Sequence, residues 1–97
     1  MIRHIAVFFW LADATDEAKH QVSAEIAKLP GQMTGLLSYE FGPDVGLVEG
    51  NADFAIVADF EDADAYLAYR NHPAHLDVIA RTIGPITAQR VGVQLEL

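Results

Sequence analysis

Two short segments of this sequence are apolar on both of the faces that a β-strand presents. Residues 2–11 are dense in β-branched and aromatic side chains, and residues 52–60 carry apolar side chains at both odd and even positions. A strand that is apolar on both faces belongs in the middle of a sheet whose two faces are covered. The sequence therefore predicts a sheet in which these two strands are central.

Two further strands and two helical segments accompany them along the chain. Residues 35–42 and 86–96 alternate apolar and polar side chains, as half-buried strands do. A helix is predicted over residues 15–29, and a short helix followed by a second one that begins at Pro73 precedes the last strand. The order is βαβ followed by βαβ, which is the ferredoxin-like motif. We predict one α+β domain over residues 1–97, with a four-stranded antiparallel sheet and its helices on one face.

The predicted helices leave the other face of the sheet without cover. Right-handed crossovers in a split-βαβ unit place both helical segments on the same side. A chain of 97 residues also has a thin core, which favours assembly with a partner. We therefore expect a homodimer in which two identical sheets face each other and enclose a barrel-like interior.

The balance of charge argues against two classes of partner. Fourteen Asp and Glu against six Lys and Arg give a net charge of −8, which repels the phosphates of nucleic acids and provides no basic patch for an anionic membrane. No apolar run is long enough to span a bilayer. The sequence contains no cysteine, which is typical of a reducing compartment. We expect a cytoplasmic protein that binds neither nucleic acid nor membrane.

The most specific segment of the sequence is Tyr-x-x-His-Pro-x-His at residues 69–75. Together with the segments at residues 1–5, 36–44 and 58–60, it makes nearly the whole chain resemble the stress-responsive α/β-barrel (Dabb) family. The resemblance implies a ferredoxin-like fold and a homodimeric β-barrel. Most members of this family have no established activity, and relatives on the same dimeric barrel include cofactor-free monooxygenases, isomerases and polyketide cyclases. The fold alone does not choose among these functions.

The resemblance also suggests site residues. In a cyclase-type member, acid–base roles belong to a tyrosine and to the second histidine of the same segment, which correspond to Tyr69 and His75. A further pocket histidine corresponds to His4. A histidine on strand three of that cyclase corresponds to Phe54 here, a departure that bears on whether the substrate and the chemistry are shared.

The residues themselves allow a catalytic and a structural interpretation of each candidate. His75 lies about one turn into the helix that begins at Pro73, where the helix dipole favours the neutral imidazole that a general base needs. The structural alternative is that His72 caps this helix and that His75 only packs nearby. Tyr69 can polarise a substrate carbonyl or be a core residue with a solvated hydroxyl. His4 can contact a ligand or be a buried histidine that is hydrogen-bonded to the backbone.

Apolar pocket residues are predicted from strand parity. Phe8 and Trp10 share the parity of His4 and could line an apolar pocket, although core packing explains them equally well. His72 and His75 are three residues apart and could share a metal, but spacing marks no supporting carboxylate, so we expect neither metal nor cofactor. The predicted ligand-binding residues are His4, His72, Phe8, Trp10 and Phe54.

Two hypotheses for the function remain open at this point. In the first, a cofactor-independent enzyme binds a small apolar or aromatic carbonyl compound, His75 moves a proton, and Tyr69 hydrogen-bonds the oxygen where charge develops. Cyclisation or isomerisation fits this chemistry. In the second, the protein is a non-catalytic, ligand-binding or stress-associated homodimer. Convergence of Tyr69, His75 and His4 on one cavity favours the enzyme.

Overall fold

The computed structural model describes all residues 1–97 and contains one four-stranded antiparallel sheet. Its strands are β1 (Ile2–Trp10), β2 (Leu36–Pro43), β3 (Phe54–Phe60) and β4 (Thr87–Glu96). Their order across the sheet is β2-β3-β1-β4. The prediction that β1 and β3 are central is confirmed, and the ferredoxin-like order βαββαβ is that of the structure.

The helices begin where side chains satisfy their first backbone N–H groups. They are α1 (Asp16–Ile26), α2 (Ala63–Asn71) and α3 (Pro73–Val78). Thr15 Oγ1 accepts a hydrogen bond from the N–H of Ala18 at 3.1 Å, and Asp62 accepts one from the N–H of Ala65 at 2.8 Å. No helix combines the length and the apolar composition that a membrane crossing needs.

The core lies between the helices and one face of the sheet. The even-numbered side chains from His4 to Phe8 on β1 and from Phe54 to Phe60 on β3 are buried on this face. Helix α1 closes it with Val22 and Ile26, neither of which has exposed surface. These side chains explain why β1 and β3 need apolar residues on the helix side.

The opposite face of the sheet is largely apolar and has no cover within the chain. Ile5 and Val7 of β1 are paired with Val93 and Val91 of β4. Val91, Val93 and Leu95 are exposed by 48, 48 and 43%. Strand β4 thus turns its apolar side away from the helices and its polar side toward them, and we call this uncovered surface the open face.

One ion pair lies within the open face. Arg3 donates hydrogen bonds from Nε and Nη2 to the two carboxylate oxygens of Asp59 at 2.8 and 2.9 Å, and Ser38 donates a third at 3.1 Å. The hydrogen bonds from Arg3 hold the pKa of Asp59 below its usual value. These side chains come from β1, β3 and β2, so the ion pair helps to fix the register of three strands.

A β-bulge changes the predicted pattern of β2. Strict alternation predicts that Leu37 shares a face with Tyr39 and Phe41. In the structure the register shifts between Leu36 and Ser38, and Leu37 is 54% exposed. A bulge inserts one extra residue and so reverses the alternation on one side of it.

The helical segment before β4 is also less regular than predicted. The sequence predicts one helix that begins at Pro73 and is ended by Gly84 and Pro85. In the structure α3 ends at Val78 and continues as a π-helical turn over Ile79–Ile83 and a 3₁₀ turn over Gly84–Ile86. Similarly, α1 ends at Ile26, three residues before its predicted end. Wide turns of the π type occur frequently beside functional sites.

Candidate functional site

A cavity of about 420 Å³ opens between the helices and the side of the sheet that faces them. Its apolar lining includes Ala6, Phe8, Ile56, Ile79 and Ile83. Ala6 of β1 is paired with Gly92 of β4, so two neighbouring positions of the sheet lack a bulky side chain. The small side chain of Ala6 leaves room at the cavity, and the missing side chain of Gly92 leaves room beside it on β4.

The polar lining of the cavity comes from β1, α2, α3 and β4. Its titratable side chains are His4, Tyr66, Tyr69, Arg70, His75 and Arg90. Tyr69 is 2% exposed and His4 is 3% exposed. Of the residues predicted from the sequence, His4, Phe8, Tyr69 and His75 therefore lie around one cavity.

The other predicted residues lie elsewhere. Trp10 and Phe54 line a second cavity of about 210 Å³. His72 lies at the junction of α2 and α3, where its Nδ1 accepts a hydrogen bond from the N–H of Ala74 at 3.0 Å. The structure thus shows His72 as the cap of α3, and it is not among the residues that line the larger cavity.

One backbone contact fixes the tautomer of His75. Its Nδ1 lies 3.0 Å from the carbonyl oxygen of Arg70. A carbonyl can only accept, so Nδ1 carries the proton and donates it, and Nε2 keeps a free lone pair. Burial, with a further contribution from Arg90, lowers the pKa of His75 below its usual value. The helix dipole invoked from the sequence gives the same direction, but burial is the main cause.

Two tyrosines share a hydrogen bond at the wall of the cavity. The hydroxyl oxygens of Tyr39 and Tyr69 are 2.9 Å apart, and the rings of Tyr69 and His75 have centroids 4.3 Å apart. Burial raises the pKa of both hydroxyls. When Tyr39 donates to Tyr69, the proton of Tyr69 is free to be donated to another acceptor. Tyr69 can therefore act as a hydrogen-bond donor to a ligand oxygen.

His4 is held in place by a hydrogen bond from the side chain of Gln94. Gln94 Nε2 donates to His4 Nδ1 at 2.9 Å and to the hydroxyl of Tyr66 at 3.2 Å. Burial, and then the charge of Arg90, lowers the pKa of His4 to about 4. His4 is thus a neutral imidazole at pH 7. Its partner is a side chain and not the backbone, which differs from the structural alternative drawn from the sequence.

The structure adds site residues that sequence reasoning did not single out. They are Tyr39, Tyr66, Arg70, Arg90 and Gln94. Gln94 is paired with His4 and Arg90 with Phe8 across the β1–β4 ladder. The alternation of β4 was the available signal, because it places both side chains on the side opposite to Val91 and Val93. No cluster of three or more His, Cys, Asp or Glu side chains could hold a metal ion.

The fold and the site together define a small ferredoxin-like α+β protein with a partly polar cavity between its sheet and its helices. The chain belongs to the stress-responsive A/B barrel domain (Dabb) family, whose family model matches residues 2–96. The resemblance seen in the sequence is therefore confirmed. No curated protein matches the chain.

Solved structures from several organisms share this fold. A dimeric ferredoxin-like protein of unknown function from Thermobifida fusca is 45% identical, with coverage of 99% of this chain and 90% of that chain and a TM-score of 0.92. A Dabb family protein from Mesorhizobium loti is 19% identical, with coverage of 99 and 95% and a TM-score of 0.81. A hydroxynitrile lyase from Passiflora edulis is 17% identical, with coverage of 99 and 92% and a TM-score of 0.83. The last two show the fold alone.

Proposed function

We propose that this protein binds a small carbonyl compound with an apolar body in the 420 Å³ cavity and moves a proton on it without a cofactor. The observation that carries the proposal is the convergence of His75, Tyr69 and His4 on that one cavity. Its volume lies within the range of ligand pockets, and most of its lining residues are hydrophobic. The Passiflora edulis lyase supports the proposal only in that the same fold can carry an enzyme.

In this mechanism His75 is the general base. Its Nδ1–H is engaged by the carbonyl of Arg70, so Nε2 takes the proton from a carbon next to the substrate carbonyl. The lowered pKa keeps the imidazole neutral and ready to accept at pH 7. In an isomerisation the same proton returns from Nε2 to another atom of the substrate, so that no co-reactant is needed.

Tyr69 stabilises the charge that develops on the carbonyl oxygen. Its raised pKa keeps the hydroxyl protonated, so it donates a hydrogen bond and does not act as a base. Tyr39 positions Tyr69 through the 2.9 Å contact between their hydroxyl oxygens. A donor already oriented by a neighbour stabilises an oxyanion without the cost of reorganisation.

The test is a screen of small aromatic and aliphatic carbonyl compounds for turnover, with NMR spectra of the compounds as the readout. The His75→Ala variant is expected to lose turnover while its melting temperature stays close to that of the wild type. His20→Ala is the matched control, because His20 is exposed on α1 and does not line the cavity. If the melting temperature falls in step with the activity, His75 is a structural residue and the proposed role is wrong.

One observation favours the alternative of a non-catalytic, ligand-binding or stress-associated homodimer. Every buried polar side-chain atom already has a hydrogen-bond partner within the chain. A cavity in which no fully buried polar atom lacks a partner can hold a hydrophobic ligand without acting on it. This alternative predicts that the wild type turns over no compound that it binds, and that binding survives the His75→Ala substitution.

We also propose that the open face forms a homodimer. Its apolar side chains on β4 are exposed by 43 to 48% in the single chain, and the 45% identical Thermobifida fusca protein is described as dimeric. Sedimentation should give about twice the chain mass of 10.6 kDa. The Val93→Asp substitution should give a monomer. Leu67→Asp is the control, because Leu67 is equally exposed but lies on α2, and a wild-type monomer refutes the proposal.

A further inference from the structure

The charge around the cavity is opposite to the charge of the protein as a whole. The chain carries fourteen Asp and Glu and a net charge of −8, yet no Asp or Glu lines the cavity. Two of the six Lys and Arg residues of the chain do line it. These two residues are Arg70, in the last turn of α2, and Arg90, on β4. Such a reversal of charge in one pocket needs an explanation.

Neither arginine is neutralised within the chain. Arg3, Lys28 and Arg81 form ion pairs with carboxylates, whereas Arg70 and Arg90 form none. Both guanidinium groups contribute to the lowered pKa of His4 and of His75, after burial as the largest cause. Their positive charge therefore reaches both histidines that line the cavity.

The backbone of β4 provides a place for the guanidinium of Arg90. A Cβ atom at Gly92 would lie 3.2 Å from both terminal nitrogens of Arg90, so the guanidinium lies against the strand where a side chain is missing. Glycine weakens a strand and often marks the close approach of another group. The group that approaches Gly92 is this guanidinium. Arg90 is thus an exposed residue whose guanidinium folds back along β4 at the edge of the cavity that it lines.

We propose that Arg70 and Arg90 bind a carboxylate, and that the ligand of the cavity is a small monocarboxylate with an apolar body. The planar fork of arginine matches the two oxygens of a carboxylate. The apolar body would contact Phe8, Ile56 and Ile83, which line the same cavity. This inference rests on the proposed ligand-binding function of the cavity and names the chemical class of the ligand.

The test uses two acids and their neutral amides of nearly the same shape, benzoate with benzamide and hexanoate with hexanamide. We expect each acid to bind the wild-type protein about ten-fold more tightly than its amide in calorimetric titrations, about 1.4 kcal/mol. Arg70→Gln and Arg90→Gln should each weaken acid binding about ten-fold and leave amide binding unchanged. Arg81→Gln is the control, because Arg81 is paired with Asp77 and Glu25 and does not line the cavity.

A second variant tests the position of the guanidinium and keeps its charge. Gly92→Ala adds a methyl group where Arg90 lies and should weaken acid binding with little effect on the amides. Equal affinity for acids and amides, no acid binding at millimolar concentration, or acid binding unaffected by Arg90→Gln would each overturn the proposal. The result is separable from the proposed catalysis, because His75→Ala should abolish turnover but not acid binding. Conversely, if the acids bind no more tightly than the amides, only the carboxylate proposal is refuted, and the proposed turnover of neutral carbonyl compounds is unaffected by that result.

Discussion

Acidification should destabilise this protein through His4 in a definite pH window. The unfolded chain takes up a proton at His4 below pH 6.5, whereas in the folded protein burial lowers the pKa to about 4. Between these two values the unfolded state binds more protons than the folded state. The free energy of unfolding therefore falls as the pH falls from 6.5 to about 4.

The size of this effect follows from the difference between the two pKa values. Between about pH 7.5 and about pH 5 the linkage relation gives a loss of about 2 kcal/mol per protomer for an unscreened site. Because His4 lines a cavity that opens to the surface, screening by solvent should reduce the expected loss to about 1 kcal/mol. The charged groups that face His4 are Arg90 and Arg70, and the titratable group is His75; each of them disfavours the protonation of His4 when it carries its positive charge.

Urea unfolding at fixed protein concentration, followed by the fluorescence of Trp10, measures this loss. His4→Asn is the comparison, because asparagine keeps an acceptor for the amide of Gln94 and does not titrate. The pKa of His75 is also lowered, but its contribution is common to both proteins and cancels in the difference. The wild type should lose about 1 kcal/mol more than His4→Asn between the two pH values. Equal losses would refute the assigned burial of a neutral His4.

Two further predictions concern stability and are measured by the same urea unfolding. Gly35 has a φ of +79°, and a Cβ added to it would lie 2.7 Å from Ala65 Cβ, so Gly35→Ala should lower the free energy of unfolding by at least about 2 kcal/mol. Gly50 has a φ of +86° but open space around it, so Gly50→Ala should lower it by only about 1 kcal/mol. Equal losses would contradict the predicted clash with Ala65. Ile26 is fully buried, so Ile26→Ala should lower the free energy of unfolding by about 3 kcal/mol. Leu67 is 49% exposed, so Leu67→Ala should lower it by less than about 0.5 kcal/mol. A small loss for Ile26→Ala would contradict the assignment of Ile26 to the core.

The central strands could be predicted because their signal is local. The apolar side chains on both faces of β1 and β3 predict that both strands are central, and the structure places both strands in the middle. The bulge in β2 could not be predicted, because Leu36 and Leu37 are equally apolar and only the pairing with β3 shows which of them is the extra residue. The π-helical turn over Ile79–Ile83 has the same difficulty, since spacings of three and four residues fit both kinds of helix.

The candidate site was only partly accessible from the sequence. His4, Tyr69 and His75 came from the resemblance to the family, and the structure places them around one cavity. Trp10 and Phe54 share the strand parity of cavity residues but lie too far along their strands, and they line a different cavity. Parity identifies the face of a strand, whereas the position along it depends on where the helices cross the sheet.

Strand β4 shows why alternation alone does not predict the site: it separates two sides of a strand but does not say which side faces the helices. Its apolar and polar sides are evident in the sequence, and an apolar side is normally expected to face the helices. In the structure the polar side faces them, because the apolar residues Val91 and Val93 lie in the open face beside Val7 and Ile5. The cavity acquires Arg90 on β4 as a direct consequence. In the proposed homodimer, one strand therefore serves two requirements: its apolar side covers the partner sheet, and its polar side supplies the charge of the cavity.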